Sequence, residues 1–319
     1  MSKPTEALVQ CDPGIFKANF NRLPHEVQHS LADHPLFQLP ALAELAQRIA
    51  SREDPHHTGG DIDIHQGSTE ADAGPRAGLP DVSKVDIAGL LDQIEKGQTW
   101  IILNHIEREP GYREIFENCI CDLLGLAGKE VIKDIKWFNA LLFITSPNRI
   151  TAYHSDRECA WLLQIHGEKD FHLFDRADKD VLPDEELERY WTAGNHPVTY
   201  KPQYESRAMV YRMRPGTGVH TPANTPHWLQ NGNNISVSLG INFQFHDYAW
   251  ENLYKANYYL RRAGLTPSSP GERPFADRLK RGAYTAVQAL KRKIKNQPGV
   301  PNNEAREHYH RIVELLASR

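Results

Sequence analysis

Three side chains of types that bind transition metals lie at two places in the sequence. His154 and Asp156 are separated by one residue, and His227 lies much later, in a Pro-His-Trp segment. Two imidazoles and one carboxylate form the ligand set that holds non-haem Fe(II) on one face and leaves the opposite positions open. An iron centre is therefore the first hypothesis for this chain.

A histidine followed two residues later by a carboxylate is weak evidence alone. The chain has 16 His and 41 Asp plus Glu in 319 residues, so about two such pairs are expected by chance, and others begin at His105 and His166. Only after His154 do two short apolar runs follow, 161–165 and 169–174, with a glycine-containing connection. This pattern is typical of paired strands, and it favours His154.

Lys169 adds a second kind of chemistry. Period-2 alternation places Lys169, Phe171 and Leu173 on one face of the second strand. A lysine on an apolar face is costly to bury unless an anion meets it. We interpret Lys169 as an anion-binding residue that points into a barrel; the alternative is a lysine near a strand end whose ammonium reaches solvent.

The third metal ligand must come from another strand. His154 and Asp156, two residues apart on a strand, emerge on the same face and define one edge of a site. His227 begins a later strand and is the preferred third ligand. His220, which precedes Pro222, is the alternative.

The composition bounds the class of protein. A net charge of -4, with 40% hydrophobic and 24% charged residues, is ordinary for a globular domain and gives no nucleic-acid signature. Four cysteines are too few and too irregularly spaced for a disulfide framework. Neither an N-terminal apolar segment nor a run near the ~18 apolar residues of a membrane span is present. We expect a cytoplasmic protein with no membrane or nucleic-acid partner.

Short apolar runs separated by turn residues predict an antiparallel barrel or sandwich of jelly-roll type. The last run is the clearest, with apolar residues on one face and small or polar residues on the other. That second face, Ser236 to Gln244, is predicted to line a cavity; the alternative is the solvated face of an edge strand. Strands are predicted at 99–103, 140–145, 151–156, 161–165, 169–174, 208–213, 218–221, 227–230 and 235–245.

Helical patterns flank these strands. Glu107 is predicted at the N-terminus of a helix that starts after Pro110 and ends at Gly125. Residues 51–82 are predicted to form a polar surface loop, and their histidines, His56, His57 and His65, are not taken as ligands. The basic residues of the 275–295 helix are assigned to a solvated face. Helices are predicted at 23–31, 39–49, 83–97, 110–125, 183–191, 250–258, 275–295 and 309–316.

These patterns give three regions. Residues 1–82 are predicted as N-terminal helices and a flexible loop packed on a barrel, and 83–248 as the barrel with supporting helices. Residues 249–319 are predicted as a C-terminal helical region that provides a homodimer contact.

Four local motifs together resemble a known family, the jumonji-C or cupin-like Fe(II)/2-oxoglutarate oxygenases. The likeness is nearest to the asparaginyl hydroxylases that modify the hypoxia-inducible factor, and it covers residues 135–246. Two positions depart from that group, because Ala160 replaces an asparagine near the cofactor and Gln244 replaces an aromatic residue. The motifs are Thr151-x-x-His154-x-Asp156, Gln164-Ile-x-Gly167-x-Lys169, Pro222-x-x-x-Pro-His227 and Val237-Ser-Leu-x-Ile-Asn242-Phe.

The resemblance implies a fold, a site and a reaction. The fold is a double-stranded β-helix, and the reaction is O₂-dependent hydroxylation of a peptide or protein side chain, with release of succinate and CO₂ from 2-oxoglutarate. Alternatives are the same chemistry on a small metabolite, a non-catalytic cupin regulator, or a metal-dependent cupin enzyme without 2-oxoglutarate. The implied roles are Fe(II) binding by His154, Asp156 and His227, binding of the distal 2-oxoglutarate carboxylate by Lys169 and Thr151, and a position near the cofactor for Asn242.

Overall fold

The computed structural model describes residues 6–50, 61–66, 70, 94–95, 99–128, 131, 135–193, 198–245, 249–295 and 311–316. Within these ranges the chain is mainly antiparallel β, with several helices around the sheets. The strands are β1 (Val9–Gln10), β2 (His25–His29), β3 (Ile62–Gln66), β4 (Thr99–Asn104), β5 (Ile135–Thr145), β6 (Ile150–Ser155), β7 (Cys159–His166), β8 (Lys169–Leu173), β9 (Met209–Met213), β10 (Thr217–Thr221), β11 (Pro226–Asn231) and β12 (Ser236–Phe245). The helices are α1 (Pro13–Asn19), α2 (Leu39–Ala50), α3 (Pro110–Ala127), α4 (Asp184–Ala193), α5 (Ala249–Arg262) and α6 (Pro274–Lys295).

The strands form two sheets. The larger sheet has eight strands in the order β1-β2-β10-β7-β12-β5-β4-β3, and the smaller has four in the order β6-β11-β8-β9. All neighbouring strands pair antiparallel. The strands predicted around the candidate site are confirmed, with ends that differ by a few residues, and β5 is longer than predicted. The predicted pairing of the 161–165 and 169–174 strands is wrong, because β7 lies in the larger sheet and β8 in the smaller one.

The main core lies between the larger sheet and the N-terminal helices. Alternation along β12 sends Val237, Leu239, Ile241 and Phe243 into this core, where side chains of α1, α2 and α3 meet them. Cys119 of α3 is fully buried there. Strand β12 lies between β7 and β5 and is therefore a central strand. The alternative that β12 is an edge strand is wrong.

The predicted helix at 23–31 is wrong. Residues His25–His29 form β2, which pairs with β10. Its burial alternates, with His25, Val27 and His29 inside and the residues between them exposed. This period-2 pattern is that of a strand with one covered face, so pairing with β10 decides the local structure.

Two other boundaries differ from the sequence prediction. The predicted 51–82 loop contains β3, which pairs with β4. Helix α3 continues through Gly125 to Ala127 and ends at Gly128, whose φ is +88°. A glycine inside a helix costs about 1 kcal/mol, whereas a left-handed residue after the last turn is a common stop.

Parts of the prediction lie outside the described residues. His56 and His57 are among them, and of the predicted 83–97 helix only 94–95 are described, both helical. The helices at 39–49, 183–191, 250–258 and 275–295 are confirmed as α2, α4, α5 and α6, and 311–316 are helical. Over the part of the chain described here, no helix has the length and hydropathy to cross a membrane.

Candidate metal and co-substrate site

Two antiparallel strands bring the two candidate histidines together. In the register of β6 and β11, His154 lies opposite His227, and their ring centroids are 4.1 Å apart. Asp156 follows the end of β6; its Oδ2 is 3.8 Å from His154 Nε2 and 3.6 Å from His227 Nε2. One donor atom from each of the three residues lies within 4.8 Å of the others. The trio predicted from sequence therefore converges on a single point.

Backbone carbonyls fix the orientation of both imidazoles. His154 Nδ1 donates to Ala152 O at 2.7 Å, and His227 Nδ1 donates to Thr225 O at 2.8 Å. A ring nitrogen that donates to a carbonyl carries the proton, so the lone pair of each neutral ring is on Nε2. Metal-binding histidines are commonly held in this way.

Burial also keeps His227 neutral. Desolvation, followed by the neighbouring His154, lowers the pKa of His227 to about 4, against an opposing effect of Asp156. A buried imidazole is harder to charge than an exposed one. At neutral pH, His227 is therefore in the form that can bind a metal.

The trio opens into a cavity of about 360 Å³ between the two sheets. Its walls come from β6, β8 and β11 of the smaller sheet and from β4, β5, β7 and β12 of the larger one. The lining is largely apolar, with Leu141, Phe143 and Leu162 among its members. A pocket of this size suits a small molecule rather than a metal ion alone.

Lys169 lies in this cavity, on β8, opposite Asn231 of β11. It is only 5% exposed, and desolvation lowers its pKa to about 7. Among the residues that the structure describes, its ammonium has neither a hydrogen-bond nor an ion-pair partner. A buried amine without a counter-charge is the arrangement expected of a site for an anionic ligand.

Thr151 and Asn242 line the same cavity. Thr151 is on β6, in register with Leu229 of β11, and Asn242 is on β12, between Asn139 and Ala160 of the neighbouring strands. The cavity-lining face predicted for β12 is present in part, since Gly240 and Asn242 reach the cavity.

Two other residues of that β12 face, Ser236 and Ser238, form hydrogen bonds with Gln164. Ser238 Oγ donates to Gln164 Oε1 at 2.8 Å, and Gln164 Nε2 donates to Ser236 Oγ at 2.9 Å. Gln164 Nε2 also donates to the carbonyls of His166 and Gly167. This buried network fixes the turn that precedes Lys169.

The competing histidines have structural environments. His220 is fully buried in the larger sheet; its Nδ1 donates to Ala160 O at 3.0 Å, and its Nε2 accepts from Asn21 N at 2.9 Å. Both ring nitrogens are thus occupied, and the ring stacks on Phe20. His166 is exposed, at the end of β7, outside the cavity lining.

The sequence predicts Glu107 at the N-terminus of a helix, but the structure gives this residue a further role. It lies in a 3₁₀ turn, Ile106–Arg108, and is buried. One carboxylate oxygen accepts from Ala140 N at 3.0 Å and the other is 3.1 Å from His105 Nδ1. The pair therefore ties this turn to β5 and is not a metal site.

Glu158 is a cavity residue that the sequence analysis missed. Burial, followed by repulsion from Asp156, raises its pKa to about 7. Residues 154, 156, 158, 160 and 162 all line the cavity, but a bend at 157–158 separates β6 from β7, so strand alternation alone does not mark Glu158. Trp100 and Ile102 of β4 also line it, and no local motif marks them.

No protein-family model matches this sequence, and a search of curated proteins gave no match. Among solved structures, the chain is similar to YcfD, a ribosomal oxygenase from Escherichia coli, with a TM-score of 0.50, 11% identity and coverage of 92% of this chain and 69% of that one. A structure of YcfD with cobalt and 2-oxoglutarate matches with a TM-score of 0.49, 12% identity and coverage of 82% and 59%. The chain thus spans about three fifths to seven tenths of these structures. At such identities the likeness concerns the fold: an antiparallel two-sheet arrangement shared with an oxygenase.

Proposed function

We propose that this chain is an Fe(II)- and 2-oxoglutarate-dependent oxygenase that hydroxylates a peptide or protein side chain. The observation that carries the proposal is one cavity in which three converging metal donors share space with the buried, unpartnered Lys169. A metal site alone would not need this amine. A co-substrate with a metal-chelating end and a distal carboxylate would use both.

The donor set fits such a metal. Two neutral imidazole nitrogens and one carboxylate on one side of the ion form the facial triad of non-haem Fe(II) oxygenases. Backbone carbonyls already orient His154 and His227, so the site needs little rearrangement to bind. When bound, Fe(II) supplies the redox chemistry that couples O₂ and the oxidative decarboxylation of 2-oxoglutarate to oxidation of a C–H bond.

The protein residues bind and orient the reactants. In this proposal His154, Asp156 and His227 hold the metal, and the Lys169 ammonium pairs with the distal carboxylate of 2-oxoglutarate. The Thr151 hydroxyl donates to the same carboxylate. Asn242 contacts the co-substrate from β12, and the apolar walls exclude water.

The proposed substrate class and fold family go further than the geometry. We propose that the strands of residues 83–248 form a double-stranded β-helix of the jumonji-C/cupin type. It is flanked by residues 249–319 and by residues 1–82, whose β1, β2 and β3 extend the larger sheet. YcfD, whose structure is similar with a TM-score of 0.50, is a ribosomal oxygenase. This similarity supports a protein substrate. Likeness to the asparaginyl hydroxylase group rests on the sequence motifs alone. A cytoplasmic location belongs to the same proposal.

A homodimer contact through the C-terminal helices is also part of the proposal. Helix α6 turns Phe275, Leu279 and Leu290 to solvent, and these side chains are 75%, 61% and 60% exposed. They recur along one face of the helix and form an apolar stripe. Because a two-fold axis pairs the same patch of both copies, such a stripe on one helix can cover itself.

The direct test is succinate production from 2-oxoglutarate in air with added Fe(II). We expect turnover by the wild type, even without a prime substrate, and at least 100-fold less for His154→Ala, because the metal loses a ligand. Lys169→Ala should raise the KM for 2-oxoglutarate at least tenfold, since the distal carboxylate loses its cation. His166→Ala, at an exposed position outside the cavity, is the matched control and should behave as the wild type.

Calorimetric binding of 2-oxoglutarate to metal-loaded protein completes the test. If the wild type shows neither turnover nor 2-oxoglutarate binding, the oxygenase proposal is wrong and a non-catalytic cupin is favoured. Turnover unaffected by both cavity variants would remove the assigned site.

A further inference from the structure

A second cavity, of about 440 Å³, lies on the other side of the 156–158 segment. Its walls come from the β6–β7 connection, the segments after β8 and β10, and helices α4 and α5. This segment bends at residues 157 and 158, between β6 and β7, and its side chains divide between the two cavities. Accordingly Asp156 and Glu158 line the first cavity and Arg157 lines the second.

Two guanidinium groups line the second cavity without an opposing charge of their own. Arg157 donates to Tyr190 O at 2.7 Å, and Arg176 donates to Ala223 O and Asn21 O, both at 2.6 Å. All these acceptors are neutral carbonyls. No carboxylate within ion-pair distance of either arginine is found among the described residues.

The other charged groups of this lining are already paired. Lys179 Nζ is 2.6 Å from Asp184 Oδ1, and Glu251 pairs with Lys255. The two arginines therefore leave the cavity with a positive surplus. Desolvation lowers the pKa of Arg176, and keeping such a cation without a counter-ion is costly, which favours an anionic occupant.

Several buried polar atoms of the lining lack a partner. Arg157 Nε, Trp191 Nε1 and Asn224 Oδ1 are buried and make no hydrogen bond within the described part of the chain. Two of the three are donors, and rotation of the Asn224 amide by half a turn would present a third. Buried polar groups are normally satisfied, so these atoms indicate a ligand with acceptor oxygens.

The remaining walls suit a flat apolar body. Trp191, Trp250 and Tyr254 line the cavity, and the Arg157 guanidinium lies 5.0 Å from the Trp191 ring centroid. Aromatic faces and arginine planes pack well against a flat group. The lining thus combines a place for an anion with a place for a ring-sized apolar group.

The second cavity is coupled to the candidate metal site by the backbone. Asn224 N donates to Asp156 O at 2.7 Å, and Tyr190 OH donates to Ser155 O at 2.9 Å. Both residues thus contact the segment that carries two of the candidate metal ligands. A group bound in the second cavity would therefore lie against the chain segment that carries His154 and Asp156.

We propose that this second cavity is a substrate subsite for a carboxylate or phosphate carried on a flat, ring-sized group. The anionic oxygens accept hydrogen bonds from Arg157, Arg176 and Trp191, and the apolar body packs between Trp191, Trp250 and Tyr254. The assignment to substrate rests on the proposed function, whereas anion binding itself does not.

Phenyl phosphate is the probe, because it combines a dianion with one aromatic ring. Its binding is measured by calorimetry on protein loaded with redox-inert Zn(II) and saturated with 2-oxoglutarate. We expect one molecule per chain, and a Kd at least tenfold weaker in Arg157→Gln. Asn224→Asp should weaken binding at least as much, because it places a carboxylate of nearly equal size inside the cavity. Arg212→Gln, which removes an arginine paired with Glu168 and Asp170, is the control and should bind as the wild type.

Three results would overturn the proposal: no binding to the wild type, equal binding by both cavity variants and the control, or complete displacement by 2-oxoglutarate. Benzyl alcohol, the neutral analogue, should not bind. Calorimetry needs no turnover and is repeated without 2-oxoglutarate, so failure of the oxygenase proposal in the succinate assay is seen separately.

A second arm separates the two sources of such an anion. A tripeptide with blocked ends and a central phosphotyrosine carries the same group on a polypeptide. Affinity similar to that of phenyl phosphate supports the subsite for a peptide substrate. Binding of phenyl phosphate alone supports the subsite for a small-molecule substrate.

Discussion

Lys169 is a buried ammonium with no ion-pair partner among the residues that the structure describes. Desolvation alone holds its pKa about 3.5 units below the ordinary value of 10.5, and each unit is worth about 1.4 kcal/mol. The amine therefore costs the empty protein on the order of 5 kcal/mol at pH 7. We expect such a residue to bind a ligand rather than to stabilise the fold.

This cost predicts that Lys169→Met stabilises the protein while it abolishes 2-oxoglutarate binding. In urea unfolding at pH 7 we expect the variant to gain about 2–5 kcal/mol, because an apolar side chain of similar length replaces a desolvated ammonium. Added 2-oxoglutarate should raise the midpoint of the metal-loaded wild type but not that of the variant.

The gain should also depend on pH in a defined direction. The unfolded lysine titrates near 10.5 and the folded one near 7. Below pH 7 both states are charged and the penalty is complete; it falls as the pH rises from 7 to 10.5, where the folded amine is already neutral. A variant that is no more stable than the wild type at pH 7, or whose advantage grows toward pH 10, would contradict this account.

Most of the candidate site could be predicted from residue types and their spacing in the sequence. The period-2 spacing of His154 and Asp156, and the face that Lys169 shares with Phe171, follow from strand geometry and needed no tertiary information. Glu158 lies in the bend between β6 and β7, where strand alternation does not predict the direction of a side chain. The second cavity was out of reach, since Arg157 and Arg176 are brought together only by packing.

At the level of elements, the connection between β7 and β8, two strands that lie in different sheets, sets the position of Lys169. Its turn depends on Gly167, whose φ is +71° and whose missing Cβ would lie 2.2 Å from Ile235 O. Gly264 also has a positive φ, +81°, but an added Cβ there would meet nothing within 4 Å. The two glycines form a matched pair. An alanine would be strained by the positive φ at both positions, but it would clash with the backbone only at position 167.

We predict that Gly167→Ala costs about 2–4 kcal/mol of unfolding free energy, from left-handed strain plus a backbone clash. Gly264→Ala should cost about 1 kcal/mol, from strain alone. Only the first substitution should also weaken 2-oxoglutarate binding, because it shifts the turn before Lys169. Equal losses in urea unfolding would show that the clash is relieved elsewhere.

Local patterns predicted some elements and missed others for physical reasons. Strand β12 was clear because six apolar residues alternate without a break. Strand β2 was taken for a helix, since its buried His25 and His29 are polar and only β10 shows which face they cover. The stop of α3 was set two residues early, because Gly125 is tolerated within the helix.

For the whole molecule, the proposed homodimer contact is the exposed apolar stripe of α6. We predict that Leu279→Asp with Leu290→Asp yields a monomer by light scattering at a concentration where the wild type is a dimer, since burying two carboxylates in an apolar contact is costly. Val210→Asp, which changes a 53% exposed apolar residue of β9, should leave the mass unchanged. A wild type that is monomeric at all concentrations would remove the proposed contact.

The pairing of β2 with β10 has a consequence for how the molecule can be divided. Strand β10 has β7 on its other side, and the segment before β2 supplies Asn21, which bonds His220, Ala223 and Arg176. A shortened chain that began after Leu31 would bare the edge of β10 as a template for aggregation and would loosen one wall of the second cavity. Residues 6–31 and the larger sheet therefore form a single structural unit. We expect deletions within these residues to be rare among functional relatives.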